Sequence, residues 1–194
     1  MLRIFTFPGV WLGGYYELAI ELSSKAAVHR MRTATAIWTH ESLRGCFRSS
    51  DSEPKDQVIM RPQEIGDHCF GIATLPNAHD VACGTLTVSE EDGPDWLCFY
   101  IPMGSLATAY DVGGYPFGPV DNLHWRPVID KWLISIAERA HGHVPFRLAL
   151  LGYETAGAHR AEEILRTGVP CDSPLGFLLP DDGCLRYVPA APHT

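Results

Sequence analysis

The sequence lacks any apolar run of about 18 residues, the length that a membrane-spanning helix needs. It also lacks a basic leader followed by an apolar stretch, so we expect no signal peptide and no membrane association. Basic residues are scarce, with 15 Lys and Arg against 23 Asp and Glu and a net charge of -8. Because nucleic-acid binding depends on clustered Lys and Arg, this balance predicts no nucleic-acid partner.

Signatures of common catalytic and metal sites are missing as well. The six cysteines form no Cys-x-x-Cys pair, and none stands at zinc-finger spacing to a histidine. The chain contains no Gly-x-Ser-x-Gly, no phosphate-binding loop and no dinucleotide-binding loop. We therefore expect no metal and no cofactor. We expect the cysteines to be free thiols, which favours a cytoplasmic location.

The composition that is present is typical of a globular protein. The chain has 194 residues, of which 46% are hydrophobic and 20% are charged. This length favours one domain, and residues 1-194 are predicted to form a single globular α+β domain. A chain of this size buries roughly 70% of the surface that its unfolded form exposes, so its core needs no disulfide or metal.

Hydrophobic patterning predicts the secondary structure. The segment Tyr16 to Leu22 alternates and indicates a half-buried strand, and Ser23 and Ser24 after it are candidate helix N-caps. Further strands are predicted at 43–48, 68–75, 81–89, 96–101 and 146–153, with a closing hairpin over 175–188 and helices at 25–40, 126–140 and 158–166. Strands grouped in runs favour the α+β class, with a mainly antiparallel or mixed sheet of about six to eight strands and two or three packed helices.

An acidic loop between two predicted strands is the first candidate site. It contains Glu90, Glu91, Asp92 and Asp95, and Trp96 follows directly. Such carboxylates can exchange protons or bind hard cations, but their spacing does not match a calcium loop. We interpret the loop mainly as the solvated tip of a hairpin. Trp96 is either a core residue or an anchor for a partner.

A second candidate site follows the predicted strand at 146–153. Tyr153 and Glu154 stand at the carboxyl end of this strand, where ligands collect in open sheets. The alternative for Glu154 is a polar exit from a hydrophobic run. Tyr115 belongs to a glycine-rich loop and is a further candidate for lining a site, although sharp turns also explain its glycines.

The acidic charge, the aromatic loops and the absence of a complete catalytic set favour a soluble, non-enzymatic binding protein with a basic protein partner. In size, charge and element mix the chain is similar in general style to bacterial immunity proteins, which neutralise basic toxin domains, but no motif carries this similarity. The alternative is a small enzyme in which Glu154 converges with Glu90, Glu91 or Asp95 in a pocket. The predicted binding residues are Glu90, Glu91, Asp92, Asp95, Trp96, Tyr115, Tyr153 and Glu154.

Overall fold

One sheet of eight strands dominates the computed structural model, which describes residues 3–117 and 123–191. The strands are β1 (Tyr15–Glu21), β2 (Leu43–Phe47), β3 (His68–Thr74), β4 (Asp80–Val88), β5 (Trp96–Pro102), β6 (Ala149–Tyr153), β7 (Gly176–Asp181) and β8 (Cys184–Val188). The helices are α1 (Ala27–Trp38), α2 (Met103–Leu106), α3 (Trp125–His143) and α4 (Ala161–Thr167). The predicted α+β class is confirmed, and the described part of the chain has four α-helices, of which α2 is a single turn.

The strand order across the sheet is β2-β3-β4-β5-β1-β6-β7-β8, and every neighbouring pair is antiparallel. The sheet is therefore antiparallel throughout the described residues, and not mixed. The first strand of the chain lies in the middle, where it pairs with β5 on one side and β6 on the other. This pairing places Glu21 opposite Trp96 at one end of β1, and Tyr16 opposite Tyr153 at the other end.

β1 is buried on both faces, so the prediction of a half-buried strand is wrong. Its apolar face, with Tyr16, Leu18 and Ile20, belongs to the main core. The opposite face carries Glu17 and Glu21, and these charged side chains are buried too. The alternation in the sequence indicated that one face of β1 is exposed to solvent, but other segments of the chain cover that face.

The first face of the sheet is covered by α1 and α3. Helix α3 directs an apolar stripe that includes Ile129, Leu133 and Ile136 onto the sheet, which explains why the 3.6-residue pattern predicted it well. Helix α1 begins at Ala27 without a side-chain cap, so neither serine before it is the N-cap. The hydroxyl of Ser24 accepts a hydrogen bond from the backbone of Ala26 instead.

The second face of the sheet is covered by two separate segments. The N-terminal segment packs Phe5 and Val10 against Phe47 of β2. Helix α4 and the strands next to it form another cluster, in which Ile164 and Trp96 are buried. None of the described helices has the length and apolar character that crossing a membrane requires.

Candidate functional site

The acidic loop connects β4 to β5 at the end of β1 that carries Glu21. Glu91 and Asp92 are exposed, as expected of a hairpin tip. Asp95 is only 5% exposed, and Glu90 is partly buried. The solvated-tip interpretation is therefore right for Glu91 and Asp92 and wrong for the other two carboxylates.

Glu90 is tied to the fold by both of its carboxylate oxygens. Oε1 accepts a hydrogen bond of 2.9 Å from the indole Nε1 of Trp96, and Oε2 lies 2.5 Å from Nη2 of Arg160. Arg160 directly precedes helix α4, so these contacts fasten the loop to the segment that covers the sheet. Trp96 is fully buried, and this burial corrects the suggestion that it anchors a partner.

A cavity of about 410 Å³ lies beside the acidic loop. Its charged lining is of both signs, namely Glu21, Lys25, Glu91, Asp92, Arg147, Arg160 and Glu162. Arg147 lies 3.5 Å from Glu21 and 3.7 Å from Glu162, and the Lys25 ammonium donates a 2.6 Å hydrogen bond to the backbone carbonyl oxygen of Glu90. Glu154 does not line this cavity, so the arrangement lends no support to a pocket of convergent carboxylates.

Two buried carboxylates that the sequence analysis did not single out lie on β1. Glu17 accepts hydrogen bonds from the backbone N–H groups of Thr155 (2.6 Å) and Ala156 (3.0 Å). Glu21 accepts one of 2.6 Å from the N–H of Ala161, the first residue of α4. Burial raises the pKa of the Glu17 carboxyl, and these N–H donors oppose the rise. The sequence signal was the presence of two acids four residues apart, on the same face of an apolar strand.

Tyr153 and Glu154 lie at the opposite end of β1 from the acidic loop. The N–H of Glu154 donates a 3.1 Å hydrogen bond to the carbonyl oxygen of Tyr15. The hydroxyl of Tyr153 donates a 3.2 Å hydrogen bond to the carbonyl oxygen of Gly13. The two ends of this strand, Tyr15 and Glu21, are about 20 Å apart at the usual rise per residue. The predicted binding residues thus fall into two groups, one at each end of β1.

An aromatic patch surrounds Tyr153 on the surface, and we define it by Tyr115, Phe117, Tyr153 and Glu154. The ring of Phe117 meets that of Tyr153 edge-on at 5.9 Å between centroids, and the ring of Tyr115 meets it at 6.2 Å. Phe117 is 88% exposed. Tyr115, Tyr153 and Glu154 were predicted from the sequence, whereas Phe117 was not, because no local pattern marks it.

The side chains of Tyr153 and Glu154 pack against the backbone of Gly14. This glycine has a φ of +71°, and a Cβ at this position would collide with the Tyr153 hydroxyl and the Glu154 carboxylate. Both side chains therefore lie directly over the backbone of Gly14. Gly14 stands directly before β1, and because it has no side chain it allows this close approach.

A buried polar cluster, formed by Tyr16, Arg126, Asp130 and Tyr187, joins β1, α3 and β8. The hydroxyls of Tyr16 and Tyr187 donate hydrogen bonds of 2.5 Å and 2.8 Å to the two oxygens of Asp130. Arg126 Nε donates one of 2.9 Å to the Tyr16 hydroxyl. Burial raises the pKa of Asp130 and of Tyr16. Both carboxylate oxygens of Asp130 are therefore occupied by tyrosine hydroxyls, and the cluster ties β1, α3 and β8 together.

Within the described residues, no group of three or more His, Cys, Asp or Glu side chains is placed to hold a metal ion. Comparison with family models, curated proteins and solved structures found no significant match to the chain.

Proposed function

We propose that this protein is a non-enzymatic binding protein, and that its aromatic patch engages a basic protein partner. The observation that carries the proposal is the exposure of Phe117, which is 88% accessible although its ring packs edge-on against Tyr153. Contiguous exposed apolar side chains are characteristic of interaction surfaces, and large aromatic residues contribute strongly to binding there.

The chemistry of the patch favours an arginine or lysine side chain of the partner. Aromatic faces attract cations, and the exposed carboxylate of Glu154 lies beside Tyr153 over Gly14. The net charge of -8 supports the same partner class, because a negatively charged protein attracts a basic one over long distances. Glu91 and Asp92, exposed at the other end of β1, add to this attraction without contacting the partner at the patch.

The use of the other carboxylates supports binding over catalysis. Glu17 and Glu21 accept backbone hydrogen bonds, and Glu90 binds Trp96 and Arg160. Each of them has a specific internal partner, and among the described residues no hydrogen bond or ion pair joins any of them to the Glu154 side chain. We further propose a cytoplasmic location, which is supported by the absence of disulfides among six cysteines.

The experiment is affinity capture from the native host with matched baits, followed by titration of the captured protein. The test bait is Phe117→Ser, and the control bait is Val58→Ser, because Val58 is 87% exposed and lies outside the patch. We expect Phe117→Ser to weaken binding by at least about tenfold, as loss of a central aromatic anchor does, and Val58→Ser to leave it unchanged.

The partner class is tested by Glu154→Lys and by salt. For a basic partner, charge reversal at Glu154 should weaken binding, and so should increasing ionic strength. A captured protein that is acidic, or one that binds Phe117→Ser as tightly as the wild type, would show that the aromatic patch is not the interface proposed.

A further inference from the structure

Two buried cysteines on neighbouring strands lie in direct contact. Cys46 is on β2 and Cys69 is on β3, and their Sγ atoms are 2.8 Å apart. Sγ of Cys69 also lies 3.0 Å from the hydroxyl oxygen of Thr85. Both cysteines are buried, in contrast to Cys171 and Cys184, which are exposed.

The contact results from an irregularity in β2. The register between β2 and β3 shifts between Gly45 and Phe47, so Cys46 has no directly paired residue on β3. The shift places the Cys46 side chain against that of Cys69, which is next to Phe70, the partner of Phe47. Because the sulfur atoms already touch, a bond between them needs only a small movement of the side chains.

We propose that Cys46 and Cys69 form an oxidisable pair, which a hydroperoxide converts into an intramolecular disulfide. This modification is independent of the aromatic patch and of the partner proposed above. The disulfide of a secreted protein is part of its folded state, whereas this protein is folded with both thiols reduced.

The reaction has two balanced steps. The Cys69 sulfur attacks one peroxide oxygen, so that an S–O bond forms, the O–O bond breaks, and the released oxygen leaves as water or an alcohol after taking the thiol proton. The Cys46 sulfur then attacks the sulfur of the Cys69 sulfenic acid, so that the S–S bond forms, the S–O bond breaks, and the hydroxyl leaves as water with the Cys46 proton. Two electrons pass from the pair of thiols to the peroxide.

The surroundings favour Cys69 as the first sulfur to react. The hydrogen bond from Cys46 lowers the pKa of the Cys69 thiol, and the Thr85 hydroxyl lowers it further against the opposing effect of burial. The same contact raises the pKa of Cys46, so Cys46 keeps its proton until the second step. The order of attack follows, because the thiolate is the nucleophilic form of cysteine.

The oxidant reaches the pair through the edge of the sheet. β2 is the first strand in the sheet order, and it pairs with β3 alone. On its outer side, the N–H of Met60 donates a 2.8 Å hydrogen bond to the carbonyl oxygen of Cys46. Local opening of an edge strand costs less free energy than global unfolding, and it would expose both sulfurs. Cys83 and Cys98 lie on β4 and β5, which are paired on both sides.

The test uses a Cys171→Ser/Cys184→Ser background, which removes the two exposed thiols. The protein is treated with hydrogen peroxide, unfolded, alkylated and measured by intact mass and peptide mapping. We expect the loss of two hydrogens, two alkylated thiols instead of four, and one cross-linked peptide that joins Cys46 to Cys69. Urea below the unfolding transition should accelerate the reaction, because it favours opening of β2.

Three further variants in the same background identify the pair. Cys83→Ser should still form the cross-link, and Cys69→Ser should not. Cys46→Ser should leave a sulfenic acid on Cys69 that dimedone traps. If these variants fail to fold, the peptide map of the background protein decides alone. Four alkylated thiols after peroxide treatment, with and without urea, would overturn the proposal, and so would a cross-link between any other two cysteines.

Discussion

The indole Nε1 of Trp96 donates a 2.9 Å hydrogen bond to Oε1 of Glu90 across the turn between β4 and β5. The tryptophan is fully buried, so its N–H has no access to water. The other carboxylate oxygen of Glu90 binds Arg160. One side chain of the acidic loop therefore satisfies a core donor and also attaches the segment before α4 to the sheet.

Replacing Glu90 with Ala should lower the free energy of unfolding by about 1–3 kcal/mol, because the buried indole N–H loses its acceptor. Alanine at Glu91 or Asp92, which are exposed in the same loop, should change it by less than about 0.5 kcal/mol. Urea unfolding of the three variants measures the difference. Equal stabilities for all three would mean that Glu90 behaves as a solvated tip residue after all.

Trp132→Ala should lower the free energy of unfolding by roughly 3–5 kcal/mol, as large-to-small changes in cores do. Trp132 lies on α3, and its ring packs against that of Phe99 on β5. Its indole N–H donates a 3.0 Å hydrogen bond to the hydroxyl of Ser42. Val128→Ala is the control on the same helix, because Val128 is exposed to solvent. Thermal and chemical unfolding provide the measurement, and an unchanged midpoint for Trp132→Ala would contradict the packing described.

Tyr16→Phe should cost about 1–3 kcal/mol, because the change leaves one oxygen of Asp130 and the Nε of Arg126 without the Tyr16 hydroxyl. A double-mutant cycle of Tyr16→Phe with Asp130→Ala should show a coupling of about 0.5–3 kcal/mol, since each change removes one partner of the same hydrogen bond. Tyr16→Phe with Glu91→Gln is the control cycle, and its coupling should be close to zero. Additive effects in the first cycle would show that the hydrogen bond contributes nothing.

The stability of the protein should depend on pH through Glu17. Burial raises the folded-state pKa of Glu17 above that of the unfolded chain, so the folded state binds the proton more tightly. The stabilisation from this group is complete below the unfolded-state pKa of about 4.3, and it is lost as the pH rises through the folded-state pKa. The stability of the wild type relative to Glu17→Gln should therefore increase as the pH falls from neutral to about 4.

Urea unfolding of both proteins across this pH range measures the effect of Glu17. Glu91→Gln, the same substitution at an exposed position, is measured alongside as the control. If the wild type loses stability relative to Glu17→Gln on acidification, the hydrogen bonds to Glu17 outweigh its burial, and the direction of the pKa shift is reversed.

The elements that depend on local periodicity could be predicted from the sequence. The stripe of α3 and the meander from β3 to β5 were found because their patterns of 3.6 and 2 residues are present within a few turns or pairs of the chain. The same reasoning failed for the covered face of β1. Glu17 and Glu21 pair with backbone groups about 140 residues later, and local pattern carries no information about such partners.

The candidate site was predictable only where a polar residue ended a strong strand. Glu154 and Tyr153 stood out because they follow the apolar run of β6. Phe117 did not, since a single aromatic residue in a loop does not reveal whether it will face the core or the solvent. Trp96 was ambiguous for the same reason, and its burial depends on α4, which is remote in the sequence.

The central position of β1 has a consequence for synthesis on the ribosome. β1 to β5 emerge first, and β1 can pair with β5 as soon as Pro102 is available, whereas its other neighbour begins at Ala149. At about 5–20 residues per second, the chain between them takes about two to ten seconds to make. During that time the nascent chain has an unpaired strand edge in the middle of its future sheet, where another nascent chain can add a strand. Slow translation through α3 should therefore increase co-translational aggregation, and a chaperone that binds extended apolar segments at the ribosome should suppress it.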